Sequence, residues 1–232
     1  MKILAVETSG QEASIALADG DQLVAEHTLD TAGRRNARLL IPAVDDLLKQ
    51  ACVTPGQIDV MAVSIGPGSF TGLRVGVVFA KTFAWVNNAK LVAVDTLQAL
   101  AQRVAPTDRE ITVISNAQRG DVFVNSYRGA DVVEPTGEVR IEPLDSVLKT
   151  LKNQPDCRLT GPGVTDFADR IPDSIITAAG DQLVPRASAL LPLARDFTFK
   201  EQWSDPDSLE PVYVRRSYAE EKQDAGPTES VE

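Results

Sequence analysis

The stretch Ser64-Ile65-Gly66-Pro67-Gly68-Ser69-Phe70-Thr71-Gly72-Leu73-Arg74-Val75-Gly76 constrains this chain more than any other. Residues 60–65 are a short apolar run, Gly66-Pro67-Gly68 is turn punctuation, and an apolar helical pattern follows. The block therefore reads as strand, tight turn, helix, with Ser69 or Thr71 placed to cap a helix over residues 71–86. A glycine turn feeding a helix N-terminus offers free backbone N–H groups to an anion. It has no Gly-Lys-Ser/Thr ending and does not fit the G-x-G-x-x-G spacing, so it is neither a P-loop nor a dinucleotide turn.

The predicted helix carries a small residue at every fourth position: Gly72, Gly76, Ala80 and Ala84. Residues four apart share a helix face, so this is a stripe almost without side-chain bulk. Glycine inside a helix costs about 1 kcal/mol relative to alanine, so two of them require a packing reason. Either the helix packs tightly on its own sheet, or the stripe meets a helix of another chain. On the second reading, a bulky residue at Gly76 or Ala80 blocks association and spares the fold.

Around this unit the chain reads as alternating strands and helices. Apolar runs at residues 3–6, 13–17 and 23–29, with Asp19-Gly20-Asp21 as a hairpin signal, make an opening meander. A helix follows over residues 35–51, where Pro42 predicts a kink or a late start. Residues 90–94 read as a strand and residues 96–104 as a helix. The second half opens like the first: an apolar run at 111–114, a polar turn at 115–120 and an alternating strand at 121–127. That repeat points to an internal duplication. Further helices are predicted over 144–151 and 187–197, with an extended piece over 209–216. Beyond residue 218 the acidic, polar tail has no core-forming pattern and is expected to be disordered.

Composition excludes several chemistries. His27 is the only histidine, and Cys52 and Cys157 are the only cysteines, too few for an ordinary zinc site or a disulfide scaffold. Two isolated cysteines favour a reducing, cytoplasmic setting. No apolar stretch approaches the roughly 20 residues of a membrane span. The formal charge of −10 argues against the chain clamping nucleic acid alone, despite small basic spots at Arg34-Arg35 with Arg38 and at Arg215-Arg216.

Several motifs together resemble one family. They are Ile3-Leu4-Ala5-Val6-Glu7-Thr8-Ser9 with Ser14-Ile15-Ala16-Leu17, the glycine block, Val94-Asp95-Thr96-Leu97, and Glu210-Pro211-Val212-Tyr213-Val214-Arg215-Arg216. The resemblance is to the TsaB family and spans roughly residues 1–218. It implies an α/β fold of two related actin, sugar-kinase and Hsp70-like (RNase H-like) lobes, with mixed sheets flanked by helices. The first lobe would cover residues 1–104 and carry the partner-binding helices. The second would cover 105–218, its last helix packing back on the first lobe, before the tail at 219–232.

The function so implied is a non-catalytic subunit that binds and activates TsaD for threonylcarbamoyl transfer to the adenosine beside the anticodon of tRNA. TsaE would join the larger complex, TsaC would supply the threonylcarbamoyl adenylate, and tRNA would be met through the assembly. The chain alone would pair with itself. ATP or ADP and metal would belong to the partner subunits, none being bound by this chain. Carried over by position, the partner interface is Arg35, Leu39, Ala43, Leu47, Gly72, Arg74, Gly76, Ala80 and Ala84. Vestigial phosphate-type loops would lie at Glu7, Thr8, Ser9, Gly66, Gly68 and Ser69, and at Asn116 and Gly120. This chain departs from the family's pattern with Glu7 in place of Asp, Asn36 in place of His, and Asn116 in place of Asp.

The alternative is a small-molecule phosphotransferase of the actin-like superfamily. It would need magnesium and a base, and Glu7 is the obvious candidate. A peptidase, the third reading, lacks both a metal site and a histidine-activated nucleophile.

Overall fold

The computed structural model describes residues 1–29 and 36–214, and everything below concerns those residues. Arg34, Arg35, Arg215, Arg216 and the acidic tail lie outside them.

Two sheets repeat one plan. In the first, β1 (Lys2–Glu7), β2 (Ala13–Asp19) and β3 (Gln22–Leu29) form an antiparallel meander. Then α1 (Asn36–Gln50) leads to β4 (Val60–Ser64), α2 (Phe70–Asn87) to β5 (Lys90–Val94), and α3 (Thr96–Gln102) closes the set. Strands β4 and β5 run parallel to β1, so the sheet order is β3-β2-β1-β4-β5. The second sheet begins with the hairpin β6 (Ile111–Asn116) and β7 (Asp121–Arg128), on which β8 (Glu134–Pro135) and β9 (Arg140–Pro143) pair antiparallel. After α4 (Leu144–Leu151), β10 (Arg158–Thr160) and β11 (Ile176–Thr177) add on parallel to β6, with the short α5 (Gly163–Asp166) between them. The order β11-β10-β6-β7-β8 is the first sheet's order over again. The duplication read from two hairpins thus extends to whole sheets.

Alternation along the strands explains the layers. Ile3, Ala5, Val60, Ala62, Val92 and Val94 point to one face of the first sheet; Leu4, Val6, Met61 and Val63 point to the other. The first face shares a core with Ile111, Val113 and Tyr127 of the second sheet, through α3 and α6 (Leu190–Phe199). Here α3 packs on β6 and β7, while α6 packs on β1, β4 and β5. The opposite face of the first sheet is covered by α1 and α2, and that of the second by α4 and α5.

Some helices differ from their sequence pattern. Helix α1 begins at Asn36, ahead of Pro42, and continues past it to Gln50. The pattern predicted over 187–197 becomes a single 3-10 turn at 187–189 followed by an α-helix over 190–199. Beyond α6 the chain straps the first lobe. The Ser204 N–H donates to the Leu91 carbonyl at 2.8 Å and its Oγ accepts the Ala93 N–H at 3.1 Å, covering the free edge of β5. Lys81 Nζ then donates to the carbonyls of Asp207 and Leu209, and the Val212 N–H to that of Ile65.

Candidate functional site

The glycine block does form a turn into a helix, and several of its polar groups bond within the chain. Ser69 is the N-cap: its Oγ accepts the Gly72 N–H at 3.3 Å and its carbonyl accepts the Leu73 N–H at 2.8 Å. The Ser69 N–H donates to the Ser9 carbonyl at 2.8 Å. Gly66 donates to Thr96 Oγ1 at 3.2 Å, and its carbonyl accepts the Thr96 N–H at 2.8 Å. Gly66 has φ +115°, and a Cβ there would lie 2.8 Å from the Val212 carbonyl oxygen, so both conformation and space demand glycine. The block is seated on the turn after β1, with no open cradle between the two.

This geometry corrects the reading of the small stripe as a partner surface. Gly72, Gly76, Ala80 and Ala84 are buried against the chain's own sheet. A Cβ on Gly72 would collide with the Thr8 carbonyl oxygen, and one on Gly76 with Thr8 Oγ1. The close approach is therefore to strand β1's end, and bulk introduced there acts on the fold. Leu47 is corrected likewise, being fully buried in the core beneath α1. Of the other interface residues, Ala43 is half-buried, Leu39 and Arg74 are exposed, and Arg35 lies outside the described residues.

Both α1 and α2 turn some large apolar side chains outward, beside polar ones such as Asp45, Asp46, Lys49 and Arg74. Ile41 is 64% exposed, Val78 63%, Trp85 79% and Val86 66%. Val78, Trp85 and Val86 lie at helical spacings of seven and eight, opposite the small stripe. That spacing is legible in the sequence, on the side of the helix away from the stripe. At its N-terminal end this surface continues into the strap: the Phe70 and Tyr213 rings stack at 4.8 Å, and Arg74 Nε donates to Tyr213 Oη at 2.9 Å.

The two hairpin turns differ in access. Glu7, Thr8 and Ser9 are buried beneath Gly68 and Gly72. Glu7 Oε1 accepts the Ser9 N–H at 2.6 Å, while Oε2 has no partner. Burial pushes this carboxyl above its ordinary range, while the polar groups of Ser9, Ser64 and Thr8 around it pull the other way. On the second sheet, Asn116 Oδ1 accepts the Gln118 N–H at 2.8 Å, and Gly120, at φ +86°, completes an exposed turn. Asp95 caps α3 by accepting the Gln98 N–H and also accepts the Tyr127 hydroxyl at 3.1 Å. Burial raises both groups, and the Asp95 charge raises Tyr127 further.

Between the lobes, Arg186 gathers partners from both. Its guanidinium donates to Glu12 at 2.9 Å, Thr28 at 3.1 Å and Asp181 at 3.1 Å. Arg103 also contacts Asp181. Pro185 packs on Gly10, the Ala187 N–H donates to Ser14 Oγ, and the Ser188 N–H donates to Glu26. Sequence reasoning missed this clasp, because its members are up to 174 residues apart. Among the described residues no helix is long and apolar enough to cross a membrane.

Sheet order and layering place the molecule in the actin, sugar-kinase and Hsp70 class of two-lobed α/β proteins, here with the first lobe's turn closed by its own glycine block. Comparison with known proteins narrows this. A family model described as TsaD, tRNA N6-adenosine threonylcarbamoyltransferase, matches residues 29–155. The Bacillus subtilis tRNA threonylcarbamoyladenosine biosynthesis protein TsaB is 32% identical, covering 96% of this chain and 97% of its own length. Its Escherichia coli counterpart is 28% identical over 96% and 98%. Among solved structures, YeaZ from Pseudomonas aeruginosa superposes with a TM-score of 0.77 at 25% identity, covering 91% of this chain and 99% of that one. The chain belongs to the TsaB family.

Proposed function

We propose that this chain takes part in making threonylcarbamoyl-adenosine in tRNA as a non-catalytic subunit that binds and activates a TsaD-type partner. The observation that carries this reading is the set of apolar side chains that α1 and α2 leave open: Ile41, Val78, Trp85 and Val86, each more than 60% exposed. TsaB-named relatives at full length support the pathway. The matched TsaD-type model supports a partner built on the same plan, so that the two-helix faces of relatives could pair. The same face would let the isolated chain pair with itself. The sealing of Glu7, Thr8 and Ser9 supports a subunit whose own turn does no phosphate chemistry, leaving nucleotide, metal and most tRNA contacts to TsaD-type and TsaE-type partners.

The test pairs a cellular and a binding measurement. Depletion of this chain should remove threonylcarbamoyl-adenosine from tRNA, read by nucleoside mass spectrometry, and wild type should restore it. Trp85→Asp with Val78→Asp should keep the wild-type melting temperature, weaken TsaD binding by at least about 100-fold, and fail to restore the nucleoside. Unchanged binding by the double variant would refute the helical face. An unchanged nucleoside level after depletion would refute the pathway.

A further inference from the structure

Glu7 is an acidic side chain sealed at the end of β1, with no counter-charge among the described residues. It is fully buried, and the groups that act on it are Ser9, Ser64 and Thr8, none of them charged. One carboxyl oxygen accepts the Ser9 N–H. The other is buried without a partner, as are Ser9 Oγ and Ser64 Oγ. Glu7 and Ser64 stand at the ends of neighbouring strands and share the sheet face that carries Ala5 and Ala62. A carboxylate in such a place, with hydroxyls and no cation to answer it, is costly to keep charged. A carboxylic acid there has an O–H to give to a serine oxygen and loses little by burial.

Its neighbours matter because of what they hold. Ser9 supplies the carbonyl that the Ser69 N–H binds, and its backbone lies directly under Gly68. Ser64 is the last residue of β4, two before Gly66. We propose that Glu7 keeps its proton in the folded chain and acts as a latch, tying the Ser9 turn to the end of β4, so that its ionisation unseats residues 66–72 and the start of α2. Burial raises the carboxyl in the direction this requires. The surrounding elements bring no charge that would reverse it. From β2, Ser14 accepts the Ala187 N–H. From the segment before the 187–189 turn, Arg186 is engaged by Glu12 and Asp181. From the start of α3, Asp95 is engaged by Gln98 and Tyr127. From α2, Gly72 and Gly76 present no side chain.

The sign follows from linkage. A raised folded value means that the native state binds the extra proton, so the latch is complete at low pH and is lost as pH rises through that value. Hydrogen exchange over residues 64–76 of the full chain, corrected for the intrinsic rise with pH, reads this directly. Wild type and Glu7→Gln should exchange alike at about pH 6, and between there and about pH 9 wild type should become the faster, by up to about tenfold for each pH unit beyond the carboxyl's folded value. Parallel behaviour at both pH values overturns the latch. A measurement on wild type alone covers the case in which the variant does not fold: the side-chain carboxyl 13C resonance of Glu7 should have the protonated shift at about pH 6. An ionised shift there, or exchange protection that depends on added sodium, potassium or magnesium, would mean a charged Glu7 or a bound cation, and would overturn it as well.

Discussion

Gly72 and Gly56 separate the two things a glycine can do here. A Cβ on Gly72 would collide with the Thr8 carbonyl oxygen, a backbone atom that cannot swing away, whereas one on Gly56 meets nothing within 4 Å. Gly72→Ala should destabilise the chain by about 3 kcal/mol or more, at the upper end of overpacking changes. Gly56→Ala, at a position without positive φ, should be neutral or stabilising by a few tenths, up to about 1 kcal/mol. Urea denaturation of the two variants checks both. Equal effects would mean that the helix can retreat from β1 more easily than its contacts indicate. At this scale, the sequence disclosed that small residues were required along α2, but not which neighbour required them. Thr8 lies 64 positions from Gly72, and only the parallel pairing of β1 with β4 brings the end of β1 against α2.

The first two helices answer to different constraints on their two sides. In α2 the Ser69 cap, the small stripe and the αL C-cap at Asn88 seat the helix on the sheet, so the opposite side is free to be apolar without affecting the fold. In α1, Leu40, Val44, Leu47 and Leu48 make the inner side, while Ile41 and Pro42 point outward. Pro42 lies within the helix and removes one backbone donor. Because its ring is exposed, Pro42→Ala should lose no packing and should raise stability by about 1–3 kcal/mol, measured by thermal or urea unfolding. A loss of stability would show that α1 needs its proline.

Across the whole molecule, α3 and α6 form a layer common to both sheets, and the core they build includes residues of each. Unfolding should therefore be one cooperative transition by calorimetry. The Arg186 clasp adds to this union at the edge of the molecule. Its side chain is 15% exposed, so Arg186→Met should cost about 1–3 kcal/mol by leaving its acceptors unanswered. Burial opposes the ionised form of Asp181, but Arg186 and Arg103 together hold its carboxyl below the ordinary range. Its contribution is thus present above the ordinary aspartate value, about pH 4, and lost as pH falls below it. The acid limb of a stability–pH curve should flatten in Arg186→Met; an unchanged limb would remove the clasp from acid unfolding.

The order of strands and helices, the repeat of the opening hairpin and the seating of a glycine turn on a helix were all legible in the sequence, because period, turn chemistry and caps act over a few residues. The side of α2 that meets the sheet was not, since a small-residue stripe suits any close neighbour, and the neighbour is chosen by strand order. Nor were the strap across β5, the clasp at Arg186 or the burial of Glu7, each of which joins positions far apart in the chain. Local physics determined which elements this protein has. The packing of two sheets around a shared helical layer decided which of their faces remain for other molecules, because a face covered by the chain's own strands is no longer open to a partner.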